Sequence, residues 1–412
     1  MPDTLLLHAP VALHRAGDTL LLEDQACNGL RLWAEHFEHL VVMMPLNPAP
    51  PPPAWVPVAG LGPVLERIEF ITLPWAYRPD QFLRALPEGR RLLRAAIERC
   101  DYLGFAIGGL FGDWGAVGAW QAHRMGKPFY IWTDRVESEV VRRLTDPRLA
   151  PDLPWRRRLR ARLEHRPMAM LERALIRRAA LGLFHGRETF DTYAPHCRNP
   201  QLVHDIHLKP ADHIAPEALA RKIAEAGAGP LRITYVGRAE AMKGTGDWLA
   251  ALEALARQGV DFRARWLGEG PDLAAMRARV AAGPLAGRVE LPGFLRDRAA
   301  VLEALRRSHL MLFCHQTPES PRCLIEALAS GCPIVGHDSA FPADLIAGHG
   351  GGWLTPPGDT EALAGALATL AQDRARLAGL IGAAARDGAP FTDAEVFRHR
   401  AELIREHLPR AR

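Results

Sequence analysis

A chain of 412 residues is too long for one ordinary core, and its length points to two or three domains. With 48% hydrophobic and 24% charged residues the composition is that of a soluble globular protein. The net charge of +4 is too small to imply nucleic acid, although the basic balance suits an anionic substrate.

The six cysteines, Cys27, Cys100, Cys197, Cys314, Cys323 and Cys332, form no C-x-x-C pair and no zinc spacing, so a reduced, cytoplasmic protein is expected. The basic residues are almost all arginine; the lysines are Lys127, Lys209, Lys222 and Lys243. "TLLLHAPVAL" near the N-terminus lacks a basic flank and a cleavage site and reads as a first strand, not a signal. No apolar run approaches the roughly 20 residues of a membrane span.

Short apolar runs alternate with helical patterns along the chain. In the first half these are "TLLLH", "HLVVMM", "IEFITL", "YLGFAI", "PFYIW", "LGLF" and "QLVH". In the second half they are "RITYVG", "FRARWLG", "RVELPG", "LMLFC", "PIVG" and "GWL". Strands buried on both faces and separated by helices imply βαβ units and parallel sheets. The pattern occurs twice. Two Rossmann-like, doubly wound α/β domains are therefore expected, residues 1–210 and 231–390, facing across a cleft, with a linker at 211–230. In such sheets ligands lie outside the carboxyl ends of the strands.

Two segments of the first half stand apart. "PLNPAPPPPAW" (Pro45 to Trp55) reads as polyproline II or an irregular surface loop. "PWRRRLRARLEHR" reads as a basic helix with Trp155, Leu159 and Leu163 on one side. It suits either an anionic membrane surface, through residues 155–166, or a solvated face, and the pattern leaves both open.

In "ITYVGRAEAMKG" a strand ends at Val236, Gly237 makes the turn, and Arg238 and Lys243 follow before a helix with Leu249, Leu252 and Leu255 at helical spacing. Two cations at a strand's carboxyl end beside a helix start can hold an anion, and a guanidinium fork with a mobile ammonium suits a diphosphate. In "WLGEGPDLAAM", Gly268 and Gly270 permit close backbone approach. "VELPGF" places Phe294 after a turn, where a ring could edge a nucleobase. In "TPESPRCLIEALASGCPIVG", Ser320 and Pro321 read as N-cap and first helical residue and Gly331 as the left-handed stop. Glu326 then lies in the helix and Glu319 in the loop before it.

These motifs occur in the order seen in family 4 (group 1) retaining glycosyltransferases, which the chain resembles strongly from about residue 228 to 390 and only in architecture before that. The resemblance implies the GT-B fold, with a nucleotide-sugar in the C-terminal domain, an acceptor in the N-terminal one, and no cofactor or metal. It assigns Gly237, Arg238, Lys243, Phe294, Leu324, Ile325 and Glu326 to the donor, with Arg238 and Lys243 on the diphosphate and Glu326 on the ribose. Glu319, beside the donor sugar, is the candidate for the first glutamate of the family's E-x7-E motif. This chain reads E-x6-E, and Pro318 occupies the family spacing, as after a one-residue loop deletion.

The strand-end loops "IGGLFGDWG" and "TDRVESE" make Asp113, Asp134 and Glu137 the acceptor or general-base candidates. His204, Asp205 and His207 have metal-ligand chemistry, yet such enzymes generally need no metal, so packing or cleft-edge roles are expected. Residues 391–412 resemble the helix that crosses back to the first domain in GT-B proteins. The function implied is retaining sugar transfer from a nucleoside-diphosphate sugar to a sugar or lipid-linked hydroxyl, in polysaccharide or glycolipid synthesis, without nucleic acid. It would act in the cytoplasm, with peripheral contact at the inner membrane surface an open option. A GT-B epimerase or phosphorylase and a non-catalytic nucleotide-sugar-binding scaffold are the alternatives, and the short glutamate spacing favours the scaffold.

Overall fold

The computed structural model describes residues 3–52, 55–147, 153–317 and 319–411. Contacts divide the chain into two compact units: Met1–Asp146, Asp152–His207 and Asp393–Arg412 form the first, and Leu208–Thr392 lies in the second.

The first unit carries strands β1 (Thr4–His8), β2 (His14–Ala16), β3 (Thr19–Glu23), β4 (His39–Leu46), β5 (Trp55–Pro57), β6 (Ile68–Pro74), β7 (Tyr102–Ala106), β8 (Tyr130–Thr133), β9 (Leu181–His185) and β10 (Pro200–Val203). Its helices are α1 (Asp24–His36), α2 (Pro79–Arg99), α3 (Trp114–Arg124), α4 (Glu137–Arg143), α5 (Trp155–Ile176) and α6 (Gly186–Tyr193). Seven strands pair in parallel in the order β10-β9-β8-β7-β1-β4-β6. Both faces are covered, because side chains alternate along each strand. On β4, Leu40, Val42 and Met44 join one apolar cluster with Leu30 and Trp33 of α1, while Val41 and Met43 join another with Leu93 and Ile97 of α2. The antiparallel ribbon β2-β3-β5 has no counterpart in the sequence reading. The proline-rich stretch ends inside it: Trp55 lies in β5 and its indole N–H donates to the Ala12 carbonyl at 3.1 Å.

The second unit carries β11 (Leu231–Val236), β12 (Phe262–Leu267), β13 (Val289–Gly293), β14 (Leu310–Phe313), β15 (Ile334–His337) and β16 (Gly352–Thr355), parallel in the order β13-β12-β11-β14-β15-β16. Its helices are α7 (Pro216–Ala224), α8 (Thr245–Arg257), α9 (Leu273–Ala282), α10 (Arg298–Arg307), α11 (Arg322–Ala329), α12 (Ala340–Leu345), α13 (Thr360–Gln372) and α14 (Arg374–Gly388). The last helix, α15 (Asp393–His407), belongs to the first unit and packs on α1 and β9.

The segment 211–230 is no linker. Within it α7 packs on α14 of the second unit, and buried Lys222 donates to the Leu305 and Ser330 carbonyls at 3.3 Å each. Burial pushes the Lys222 ammonium down to about 8.

In each sheet the chain reverses its direction of winding beside the first strand, between β1 and β7 and between β11 and β14. The loops at the carboxyl ends of those strands are where this architecture binds ligands. They are residues 9–13 and 107–113 in the first unit and residues 237–244 and 314–321 in the second.

Candidate functional site

The second unit builds its site from glycines that let three loops interlock. Gly244, at a φ of 70°, caps α8, and a Cβ there would lie 1.8 Å from the Cys314 carbonyl oxygen. Only glycine brings the end of the 237–244 loop against the strand-end of β14, and this sets Lys243 beside the 314–321 loop. Gly268 and Gly270 meet the expectation of close approach: a Cβ would lie 2.0 Å from the Gly237 oxygen and 2.1 Å from the Ala239 oxygen respectively. The Thr245 hydroxyl donates to the Asp272 carboxylate at 2.7 Å and closes the set.

In this frame the Lys243 ammonium donates to both oxygens of Glu319, at 2.7 Å each, with both side chains largely buried. Glu319 therefore reaches the cation despite the short spacing. Pro318, the residue at the family spacing, lies outside the described residues. Glu326 pairs with Arg298 at 3.0 Å. Arg298 opens α10, whose N-cap Asp297 accepts from the Ala299 N–H at 2.9 Å. No motif marked Arg298; an arginine at a helix start just after "LPGF" is the only signal, and a weak one.

Arg238 pairs with another carboxylate. Its guanidinium binds Glu240 through Nε at 3.1 Å and also through Nη2, and the side chain stays 74% exposed. Phe294 is exposed after Gly293. The side chains of Leu324 and Ile325 are fully buried, and the Leu324 amide donates to the Pro321 carbonyl at 3.2 Å. The helical period turns 324, 325, 327 and 328 into the core and leaves Glu326 outward. The start of α11 is corrected. The cap is Pro321 without a side-chain hydrogen bond, and Ser320 lies one residue before it. Gly331 ends the helix in the left-handed region at a φ of 59°.

In the first unit the strand-end carboxylates have a different occupation. Asp113 is the N-cap of α3: its carboxylate accepts from the amides of Gly108 and Gly109 at 2.9 Å and of Ala116 at 2.8 Å. Burial nevertheless raises its pKa above the usual carboxylate value. Asp134 is exposed. Glu137, first residue of α4, pairs with Arg135 at 2.6 Å, and burial raises its pKa too. The loops carrying Asp113 and Glu137 touch, since a Cβ on Gly108 would lie 2.7 Å from Glu137 Cγ. Beside them Glu172 of α5, only 4% exposed, accepts from the Ser138 N–H at 3.0 Å and hydroxyl at 2.5 Å. Glu172 thus caps α4 from a distance of 34 residues, which no local pattern reveals.

The His204–His207 segment packs. Asp205 pairs with Arg400 of α15 at 3.3 Å, and the Arg400 guanidinium lies 4.1 to 4.9 Å from the Phe397, Trp132 and Trp33 rings. The Asp205 amide donates to His185 Nδ1 at 3.1 Å. Among the described residues no group of three or more His, Cys, Asp or Glu side chains could hold a metal ion. No helix among them is long and apolar enough to cross a membrane.

Two doubly wound parallel sheets, each with strand-end loops at its winding reversal, define the class: this is the GT-B architecture. The chain aligns over 98% of its length with all of Anabaena HepE, solved in complex with UDP, at a TM-score of 0.64 and 17% identity. It aligns over 98% with 98% of sucrose-phosphate synthase from Thermosynechococcus elongatus, at 0.65 and 15%. These likenesses show the fold. Residues 217–387 match the family described as "Glycosyl transferases group 1".

Among curated relatives it is 31% identical over 198 residues to the amylovoran biosynthesis glycosyltransferase AmsK of Erwinia amylovora, covering 46% of this chain and 48% of that one. It is 27% identical over 236 residues to the 2-deoxystreptamine N-acetyl-D-glucosaminyltransferase of Streptomyces fradiae, covering 55% of each. The matched segments thus span about half the length of these relatives.

Proposed function

We propose that the protein is a retaining glycosyltransferase that moves a sugar from a nucleoside-diphosphate sugar to a hydroxyl acceptor in polysaccharide or glycolipid synthesis. The observation that carries this reading is the Lys243–Glu319 pair at the winding reversal of the second sheet. A largely buried ammonium beside a helix start is what a leaving diphosphate needs, since negative charge grows on it as the glycosidic bond breaks. Lys243 takes that charge, and Arg238 adds a second contact by exchanging Glu240 for a phosphate through a side-chain rotation. Glu326 takes the ribose hydroxyls in place of Arg298. Glu319 lies beside the donor sugar and supports its developing positive charge. The leaving phosphate itself draws the acceptor proton, so front-side attack retains the anomeric configuration.

The match of residues 217–387 to the group 1 family supports transfer of a sugar, and the name of AmsK supports a polysaccharide product. HepE, solved with UDP and with UDP and glucose, supports a uridine nucleotide as the first donor class to try. For the acceptor, Asp134 and Glu137 stay as candidates, while Asp113 is occupied by three amides. The test is a screen of UDP-, GDP- and ADP-sugars with polysaccharide fragments and lipid-linked sugars, followed by NMR of the product. An α-linked donor giving an α-linked product supports the reading. Inversion or epimerisation without transfer contradicts it, as does binding without turnover, which is the scaffold's signature.

The exposed face of α5 supports a membrane-surface location. Trp155, Leu159 and Leu163 recur every fourth residue and are 68%, 47% and 67% exposed, with Met170 at 72%. Arg156, Arg157, Arg158, Arg160, Arg162 and Arg166 accompany them, against Glu164 as the one acid between 155 and 166. An apolar row with arginines around it matches an anionic bilayer surface. Sedimentation with phosphatidylglycerol vesicles, absent with phosphatidylcholine and lost in Leu159→Glu/Leu163→Glu, is expected. Equal recovery with both lipids, or no effect of the double variant, would contradict it.

A further inference from the structure

Glu319 has a second neighbour. His315, four residues before it and nearly buried, turns Nδ1 toward Glu319 Oε1 at 3.8 Å. The other ring nitrogen, Nε2, lies 2.8 Å from the hydroxyl of Tyr235 in β11. Tyr235 is fully buried against Trp266, with ring centroids 4.0 Å apart. The hydroxyl fits only because residue 237 is glycine: a Cβ there would lie 2.7 Å from the oxygen. Phe313 closes the imidazole from another side, at a centroid distance of 5.4 Å.

This arrangement dictates a tautomer. Burial, then the Lys243 ammonium and His337, hold the imidazole well below its ordinary pKa, so the ring is neutral and carries one proton. Burial also holds the Tyr235 hydroxyl protonated, and among the described residues Nε2 is its one hydrogen-bond partner. The hydroxyl must therefore donate to Nε2, and the ring proton sits on Nδ1, facing Glu319.

The Lys243–Glu319 pair sets up a conflict that this proton resolves. A lysine that gives both its short contacts to Glu319 cannot also hold a diphosphate in full. If the diphosphate draws Lys243 away, a largely buried carboxylate is left short of donors, which is costly. We propose that His315 is a positioning residue for Glu319: as a nucleoside diphosphate takes Lys243, the His315 Nδ1–H closes on Glu319 and keeps its carboxylate aimed at the donor sugar. About 1 Å of movement turns 3.8 Å into an ordinary hydrogen bond. Tyr235 is the anchor that keeps the proton on the correct nitrogen. This assignment rests on the nucleotide-sugar reading above and adds to it a residue that none of the donor motifs contains.

Histidine-selective 15N NMR on the full chain tests it without requiring turnover, with the His315 signals identified by their loss in His315→Asn. Calorimetry first selects which of UDP, GDP and ADP binds. The wild type should show a neutral Nδ1–H ring at His315. Saturating nucleotide should move that proton downfield as it meets Glu319, and Glu319→Gln should weaken the movement. In turnover, His315→Phe should lower kcat by about 10- to 100-fold with donor KM changed less than about threefold, and His315→Asn, whose amide nitrogen falls near Nδ1, should recover most of it. Tyr235→Phe should give mixed tautomers. A nucleotide that binds while the His315 ring stays unmoved, or sits as Nε2–H, overturns the inference and leaves the nucleotide reading standing. So does a His315→Asn variant no better than His315→Phe. If none of the nucleotides binds, both fall together.

Discussion

The two units place carboxylates in or beside the loops at the carboxyl ends of parallel strands, yet they hold several of them differently. In the first unit Asp113 is bound by backbone amides, and Glu172 by the amide and hydroxyl of Ser138. In the second unit Glu319 and Glu326 are bound by the side-chain cations Lys243 and Arg298. An amide cannot leave without unfolding a helix end, so an amide-bound carboxylate is a fixture. A side-chain cation can rotate away, so the carboxylate it holds can exchange it for a ligand. Asp113 is thus structural, while Glu319 and Glu326 are available for chemistry, as is Glu137 of the first unit, which the Arg135 side chain holds.

The sharpest break of this comparison is in the first unit. Arg400→Ala leaves Asp205 buried without its cation and empties an aromatic cage, so that unit should lose about 3–5 kcal/mol. Chemical denaturation should show it. An unchanged midpoint would mean that the cage carries no load.

Next come Lys243→Ala and Glu319→Gln. Each should lower turnover by about 100- to 1000-fold with circular dichroism little changed, and Lys243→Ala should also lower the melting temperature because Glu319 loses its cation. A collapse of melting temperature with no selective loss of turnover would make the pair a structural fixture and erase the contrast.

Acid should destabilise both units by one cause. Burial holds His8 down at about 4 and His204 at about 3 in the first unit, and His309 at about 3 in the second. The unfolded chain binds these protons first, so stability is fully present above about pH 6.5 and falls as pH drops toward these values. At pH 5 the expected loss is about 2 kcal/mol per histidine, read as a falling denaturation midpoint. A flat profile between pH 7 and 5 would contradict it.

The smallest effect sharpens the comparison most. Asp113→Ala should cost about 1–2 kcal/mol of stability, through the lost cap, and leave nucleotide affinity unaltered. If it abolished transfer without changing melting, Asp113 would return to the acceptor site as a chemical group.

The legibility of the sequence divides along the same line. Both parallel sheets could be read, because strands buried on both faces leave unbroken apolar runs such as "HLVVMM" and "LMLFC". The short antiparallel ribbon could not, since His14–Ala16 and Trp55–Pro57 are three residues each and carry no period. Helix α7 was hidden by the Gly-Ala-Gly-Pro stretch after it, which looks like a linker while its lysine is buried. In the site, the glycines and Lys243 were visible because backbone crowding demands them at fixed spacing. Arg298, His315 and Glu172 were not, because what they do depends on partners that only the folded chain places beside them. The burial of Leu324 and Ile325 was legible from the helical period alone.

The central claim is that Lys243 is held by Glu319 in order to be given to a diphosphate. Isothermal titration of UDP, GDP and ADP into the wild type and into Lys243→Ala tests it most directly. One nucleotide should bind the wild type with one-to-one stoichiometry, and Lys243→Ala should weaken it by about tenfold or more, the loss of one charge-assisted contact. Equal affinity in the two proteins, or no binding by either, would contradict it.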